Sequence, residues 1–188
     1  MKTNLQIKNV VCQRCVMSVK EILGRLDIPF KKVSLGEAVL NKPLKESEFQ
    51  KLQEEFRKVG FTILENKEEK IVNKIKSVIL KEVYEGGLVS HKRMSGVLTT
   101  IFPHDYSYLS GLFSTREKIS IRDYQKKVKI ERAKELLEYN EMNINQISAN
   151  MGYQGASYFC TFFKKETGLT PLQYQKKHLK KRTGLSKL

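Results

Sequence analysis

The chain has 188 residues, with 35 Lys and Arg against 20 Asp and Glu, for a formal net charge of +15. No apolar run approaches the ~20 residues of a membrane-spanning helix, and the charged N-terminus lacks a signal-peptide core, so a cytoplasmic chain with no membrane partner is expected. Three cysteines, Cys12, Cys15 and Cys160, are too few for a disulfide scaffold.

In chain order, "NLQIKNVV" alternates as a strand with Leu5, Ile7 and Val11 as its apolar members. "CVMSVKEILGRL" then spaces Val16, Val19, Ile22 or Leu23, and Leu26 as a helix, with Met17 turned toward the core. "FKKVSLG" and "EAVLNKPL" read as two short strands about a turn at Gly36-Glu37. "SEFQKLQEEFRKVG" sets Phe49, Leu52, Phe56 and Val59 on one helical face and ends at Gly60. "FTILE" closes as a strand. The order β-α-β-β-α-β is that of the ferredoxin-like split unit.

Beyond Lys67 the strand signals stop. "KIVNKIKSVILKEVYEGG" places Ile71, Ile75, Val78, Ile79 and Val83 on one face of a helix. "SIRDYQKKVKIERAKELLEYN" is a long helix that Ser120 and Asp123 open as a capping pair. Thr170-Pro171 is an N-cap followed by proline, so "PLQYQKK" forms a last short helix, with a basic tail fraying from Lys176. The expected fold is α+β: a ferredoxin-like domain over 1–66 and an all-helical domain over 67–188. Charge follows the same division. Residues through Asn66 carry a net +4 and the remainder +11. Such an excess suits nucleic acid or an anionic membrane surface; a solvated basic face is the plain alternative.

The helical part repeats itself. "SYLSGLF" at 107–113 is echoed by "SYFCTFF" at 157–163, and at the same offset of fifty Ile119-Ser120 matches Leu169-Thr170 and Tyr124 matches Tyr174. In the second copy Ile144, Ile147 and Met151 point inward, the chain turns at Gly152, and Phe159, Phe162 and Phe163 point inward again. A short helix, a glycine turn and a second helix with small polar residues at its start describe a helix-turn-helix. Two such units held apart by a long helix could enter successive major-groove faces about 34 Å apart along duplex DNA. A plain helical bundle explains the aromatics as core but not the repetition or the charge.

The run "KIERAKELLEYNEMNINQISANMGYQGASYFCTFFKKETGLTPLQY" resembles the C-terminal domain of AraC-type transcription regulators. The matching positions are Ala133, Leu136, Leu137, Ile147, Gly152, Tyr153, Ser157, Phe159, Phe163, Lys164, Gly168, Thr170, Pro171 and Tyr174. The resemblance covers roughly residues 70 to 178 and implies two DNA-binding helix-turn-helix units joined by a linker helix. By motif position, Tyr106, Ser107, Ser110 and Gly111 would face DNA from the first unit. Gln154, Ala156, Ser157, Cys160 and Thr161 would do so from the second, with Lys164 and Lys165 on phosphates. Capping of their own helices is an equal alternative for the serines. Cys160, with no Cys or His near it in its unit, is otherwise a bystander. Lys118 stands where the second copy has Gly168, so the first turn should be strained or differently folded. Gly111 and Thr161 replace the arginine or asparagine frequent in the family, which shifts recognition toward DNA shape. RNA polymerase as a second partner and a homodimer are both compatible with such a regulator.

At the other end, Cys12 and Cys15 form Cys-x-x-Cys between a strand and a helix. Two thiolates suit Cu(I) or another soft metal ion; thiol redox and a structural pair remain open. The placement resembles heavy-metal-associated domains of copper chaperones and metal-transporting ATPases over about residues 3 to 66. "KVGF" at 58–61 resembles their metal-side loop, while Val10 departs from their usual Met. The expectation is a DNA-binding, non-enzymatic regulator that senses a soft metal or thiol redox state. A metal chaperone with an accessory domain and a thiol enzyme tethered to DNA are the competing classes.

Overall fold

The computed structural model describes residues 3–85 and 93–182, with the side chains of 179–182 outside that description. Packing divides the chain into two compact units, residues 1–80 with 98–119 and residues 81–97 with 120–188.

The first unit opens with β1 (Asn4–Lys8), α1 (Gln13–Arg25), β2 (Phe30–Ser34), β3 (Glu37–Leu40), α2 (Glu46–Lys58) and β4 (Thr62–Leu64). This is the β-α-β-β-α-β order expected from the periodicities. The strands form one antiparallel sheet in the order β2-β3-β1-β4. Leu5 stands opposite Ala38 and Ile7 opposite Ile63, all buried, so these residues share one face. α1 and α2 pack with each other and against the edge strands. They bury Val16, Val19, Ile22 and Leu23 from α1, and Leu52 and Phe56 from α2. The α2 terminus is a Schellman turn. Gly60 takes φ 80°, its N–H donates to Arg57 O, and Phe61 N–H donates to Phe56 O, while the Phe56 and Phe61 rings meet edge-on at 6.0 Å.

Three apolar placements differ from the sequence pattern. Asn9 adopts φ 72°, which ends the alternation after Lys8; Val10 is consequently buried and Val11 is 48% exposed. Asn tolerates the left-handed region, so the break costs little. Met17 is 68% exposed rather than in the core, because the buried stripe of α1 runs through Val16 and Val19. Val59, last of its expected face, caps α2 and is exposed.

Residues Gln6, Glu37 and Leu64 lie in register on the opposite face of the sheet. The first turns of α3 (Lys67–Tyr84) cover that face. Here too the buried stripe is rotated from the expected one: Val72, Asn73, Ile75, Ile79 and Leu80 are buried, while Ile71, Val78 and Val83 are only half-buried. The unit is completed by the end of α4 (Met94–Ile101) and by α5 (Tyr106–Glu117), with Leu98, Leu109 and Phe113 fully buried.

The second unit is helical: α6 (Ile121–Tyr139), α7 (Ile144–Asn150), α8 (Ala156–Thr167) and α9 (Pro171–Arg182). Its core gathers Ile130, Ala133, Leu136, Leu137, Ile147, Met151, Phe159 and Phe163, with Val83, Phe162 and Tyr174 packed on it. Losing one of the two buried phenylalanines to alanine would cost about 3–5 kcal/mol. Ser120 caps α6, accepting from Asp123 N–H at 3.0 Å and donating to Asp123 Oδ2 at 2.7 Å. Thr170 and Gln173 cap α9 reciprocally. α9 continues past Lys176 to Arg182, where a frayed tail was expected, and the rest of that tail lies outside the described residues. Tyr174 donates to Glu138 at 2.8 Å and stacks on His178 at 4.3 Å. No helix of the described residues is long and apolar enough to cross a membrane.

Candidate nucleic-acid interface and cysteine pair

α5 and α8 are each the second helix of a helix-turn-helix. In the second unit α7 is opened by a capping box between Asn143 and Gln146, ends at Met151, and turns through Gly152 at φ 72° into Gly155, the N-cap of α8. The first copy runs from α4 through a short turn to Asp105, the N-cap of α5.

The fifty-residue echo is an echo of structure. Leu109 and Phe159 are buried one turn into their helices, as are Phe113 and Phe163 one turn later, and Leu112 and Phe162 are half-buried. Leu109 N–H donates to Asp105 O as Phe159 N–H does to Gly155 O; Tyr124 N–H donates to Ser120 O as Tyr174 N–H does to Thr170 O. The helix ends match as well. Gly168 takes φ 78° and donates to Lys164 O, while Lys118 takes φ 60° and donates to Ser114 O. Lys118 therefore accepts the left-handed conformation instead of changing the turn, which costs a non-glycine residue about 1–2 kcal/mol. That resolves the expectation at Lys118 in favour of strain.

None of the residues singled out from sequence for DNA contact is buried. Ser107, Gly111, Gln154, Ser157, Thr161, Lys164 and Lys165 are exposed; Tyr106, Ser110, Ala156 and Cys160 are intermediate. Ser107 and Ser157 do not cap their helices. Asp105 accepts the Tyr108 N–H of α5 at 2.8 Å, and Gly155 offers no side chain to α8. Both serines stand in the first turn with their hydroxyls free of that duty. Sequence reasoning passed over Tyr108 and Tyr158, which are 45% and 70% exposed beside those serines. The signal was available: both fall outside the apolar stripe that Leu109, Leu112 and Phe113, or Phe159, Phe162 and Phe163, define.

Charge distinguishes the copies. In the first, Arg116 pairs with Glu68, and Glu117 accepts from Lys76 at 2.5 Å, so both charged residues at the end of α5 are answered by α3. In the second, Lys164 and Lys165 are exposed and form no ion pair among the described residues.

Residues 100–177 match the family model of a helix-turn-helix domain. The C-terminal domain of AraT, a response regulator from Geobacillus stearothermophilus, superposes with a TM-score of 0.52 at 28% identity, over 60% of this chain and 88% of that one. A transcriptional regulator from Chromobacterium violaceum, described as containing an AraC-type DNA-binding domain, shares the fold (TM-score 0.50, 15% identity, 58% of this chain and 93% of that one). This chain carries a helix-turn-helix domain with the fold of AraC-type DNA-binding domains. Among curated relatives, the HTH-type transcriptional activator RhaR of Yersinia pseudotuberculosis is 32% identical over 72 residues, 38% of this chain and 25% of that protein. The uncharacterized HTH-type transcriptional regulator YijO of Escherichia coli is 29% identical over the same shares. The matched region thus spans about a quarter of each relative's length.

Cys12 is the N-cap of α1, and its Sγ lies 3.4 Å from that of Cys15. Burial raises the Cys12 thiol pKa. Hydrogen bonds from the Cys15 backbone, the Cys15 thiol and the Arg14 backbone, with the Arg14 charge, outweigh burial and hold it below its ordinary value. The Cys12 thiol is therefore shifted toward thiolate, the form that binds metal and attacks disulfides. No group of three or more Cys, His, Asp or Glu side chains among the described residues could hold a metal. Two soft donors fit an ion of low coordination number and do not fill a tetrahedral zinc site.

Proposed function

We propose that this chain is a sequence-specific DNA-binding transcription regulator whose α5 and α8 each lay their first turns in the major groove of duplex DNA. The duplicated helix carries the reading: two copies with the same buried residues and the same terminal hydrogen bonds each leave Ser, Tyr and small side chains exposed on the first turns. A helical bundle needs the buried residues and gives no reason for the exposed ones to repeat. The test is binding to a duplex selected from random sequence, measured against salt. Log affinity should fall linearly and steeply with log salt as lysine contacts release counterions. Affinity flat in salt, or no selectable sequence, removes DNA as the partner.

Residues 1–66 are proposed to form a ferredoxin-like sensor module responding to a soft metal through Cys12 and Cys15. The antiparallel order β2-β3-β1-β4 and the lowered Cys12 thiol support it. Reduced protein should bind about one Cu(I) equivalent, Cys12→Ser and Cys15→Ser should each abolish tight binding, and Cys160→Ser should not. The lowered thiol equally favours a redox switch, which predicts DNA affinity that follows a Cys12–Cys15 disulfide with no metal present. Titrating metal and oxidant separately into protein on DNA distinguishes the two.

A further inference from the structure

Resting on the DNA-binding reading, we propose that the N-terminal module positions the first recognition helix, α5, through α3, and that contact of the first unit with DNA therefore depends on the module while contact of the second does not. Two sets of contacts, both within the first compact unit, carry this.

The first set fastens α3 to the sheet. Asn73 is 8% exposed, and its amide nitrogen lies 3.2 Å from Gly36 O, 3.3 Å from Ile7 O and 3.4 Å from Gln6 Oε1. A buried amide is retained where its hydrogen bonds are met, and here all three acceptors belong to the module. One residue on, Lys74 donates to Glu37 of β3 at 2.8 Å. The approach is close enough to require glycine at the β2–β3 turn. Gly36 has φ 70°, and a Cβ there would stand 2.2 Å from Ser77 Oγ and 2.9 Å from Asn73 Nδ2. A Cβ there would displace the Ser77 and Asn73 side chains by which α3 meets the turn.

The second set fastens α5 to α3. Lys76, on the turn after Asn73, holds Glu117, and Glu68 holds Arg116. The Lys76 and Glu117 side chains are only 24% and 26% exposed, against 42% and 48% for Arg116 and Glu68. The shielded pair is thus the stronger contact, since exposed pairs contribute little. These partners sit on the last turn of α5. Ser107 and Gly111, near its start, stay exposed. The contacts fix the direction of the helix without covering its DNA-facing end, which makes them a positioning device rather than a block.

The test is charge exchange across Lys76 and Glu117 in the full chain. Readouts are footprinting and affinity on a duplex that the wild type selects from random sequence. Lys76→Glu and Glu117→Lys should each shorten protection at one end of the footprint and weaken binding about tenfold. The double exchange K76E/E117K should restore both to within about threefold, since it rebuilds the pair with reversed polarity. Glu117→Lys is the decisive single variant. It raises the net charge by two, so a general electrostatic effect tightens binding while loss of positioning loosens it. Cys-independent confirmation comes from Gly36→Ala, which should shorten the same end of the footprint, with partial rescue when Ser77→Ala removes the nearest clashing atom. The proposal is overturned if Glu117→Lys leaves the footprint full-length, if the exchange does not rescue, or if both ends weaken equally. If wild type selects no sequence at all, the DNA-binding reading falls first, and the two failures are thereby told apart.

Discussion

The last turn of α5 directs its charges inward along the chain, Arg116 to Glu68 and Glu117 to Lys76, whereas α8 presents Lys164 and Lys165 to solvent. Backbone and core do not share that difference: the same positions are buried and both helices end in the left-handed region. Duplication has preserved what folds a helix-turn-helix and let diverge what the helix does with its surface. Lysines free to meet phosphates supply affinity that is independent of sequence and sensitive to salt. Charges engaged within the chain supply orientation instead. On the proposal made above, α8 would anchor the chain on DNA and α5 would be aimed.

Position-matched carboxylates should produce the largest effect. Thr161 and Gly111 stand fifty apart at exposed sites, and a Cβ at Gly111 meets nothing within 4 Å. Thr161→Glu should cost about 100-fold or more in operator affinity, because it sets a carboxylate against phosphates at the anchoring helix. Gly111→Glu should cost less, about tenfold, and erase protection at one end only. Equal losses from the two would dissolve the asymmetry. Circular dichroism and thermal unfolding of each variant separate lost contact from lost fold.

Salt dependence sharpens the same contrast at smaller amplitude. Replacing Lys164 and Lys165 by Ala should reduce the slope of log affinity against log salt by about 1.8, as two phosphate contacts require. Arg116→Ala should leave the slope nearly unchanged, since its charge is already answered by Glu68. A slope reduced equally by both would mean that Arg116 abandons Glu68 for DNA.

Much of this was legible in the sequence because it rests on local rules. The glycine terminus at Gly60, the Ser120–Asp123 cap, the Thr170-Pro171 start and the fifty-residue echo each depend on a few neighbouring residues, and each stands in the structure. The covering of the sheet's second face by α3 does not. Its central residue, Asn73, is polar and belongs to no apolar periodicity, and its acceptors lie 37 to 67 positions away. The ion pairs of α5 with α3 span 41 and 48 positions and were equally hidden. Val10 and Val11 exchanged roles for a third reason: a single positive φ at Asn9 reverses which side chain faces inward, and alternation has no means of announcing it.

Exchanging the helix ends tests how far the duplicated fold is compromised in its first copy. Lys118→Gly should stabilise the protein by about 1 kcal/mol, since glycine adopts φ 60° without steric cost. Gly168→Lys should destabilise by about the same amount, and neither should alter DNA affinity at temperatures well below unfolding. If Lys118→Gly destabilised instead, the Lys118 side chain would be making a contact that outweighs its backbone strain.

The smallest effect concerns pH at the seat of α3. Glu37 is desolvated by its burial, which raises its carboxyl pKa. Hydrogen bonds from Lys74 and Asn4 and the charges of Lys74 and Lys32 outweigh this and hold it below the ordinary glutamate value. A carboxylate depressed in the folded state contributes stability that is fully present above its unfolded pKa of about 4.3. That contribution is lost as pH falls through the lower folded value. Glu37→Gln should therefore lower Tm at neutral pH by about 2–4 °C, from a contribution of about 1 kcal/mol. The deficit should hold constant down to about pH 5 and then shrink, because acid neutralises the wild-type carboxylate and leaves the glutamine unchanged. Asn4 donates to Glu37 at 2.7 Å and would donate equally to a glutamine oxygen, so the vanishing part belongs to Lys74 and the general field rather than to the amide contact. A Tm deficit unchanged from pH 7 to pH 3 would show that Glu37 acts through shape alone, and that α3 is seated by Asn73 and Gly36 without help from charge.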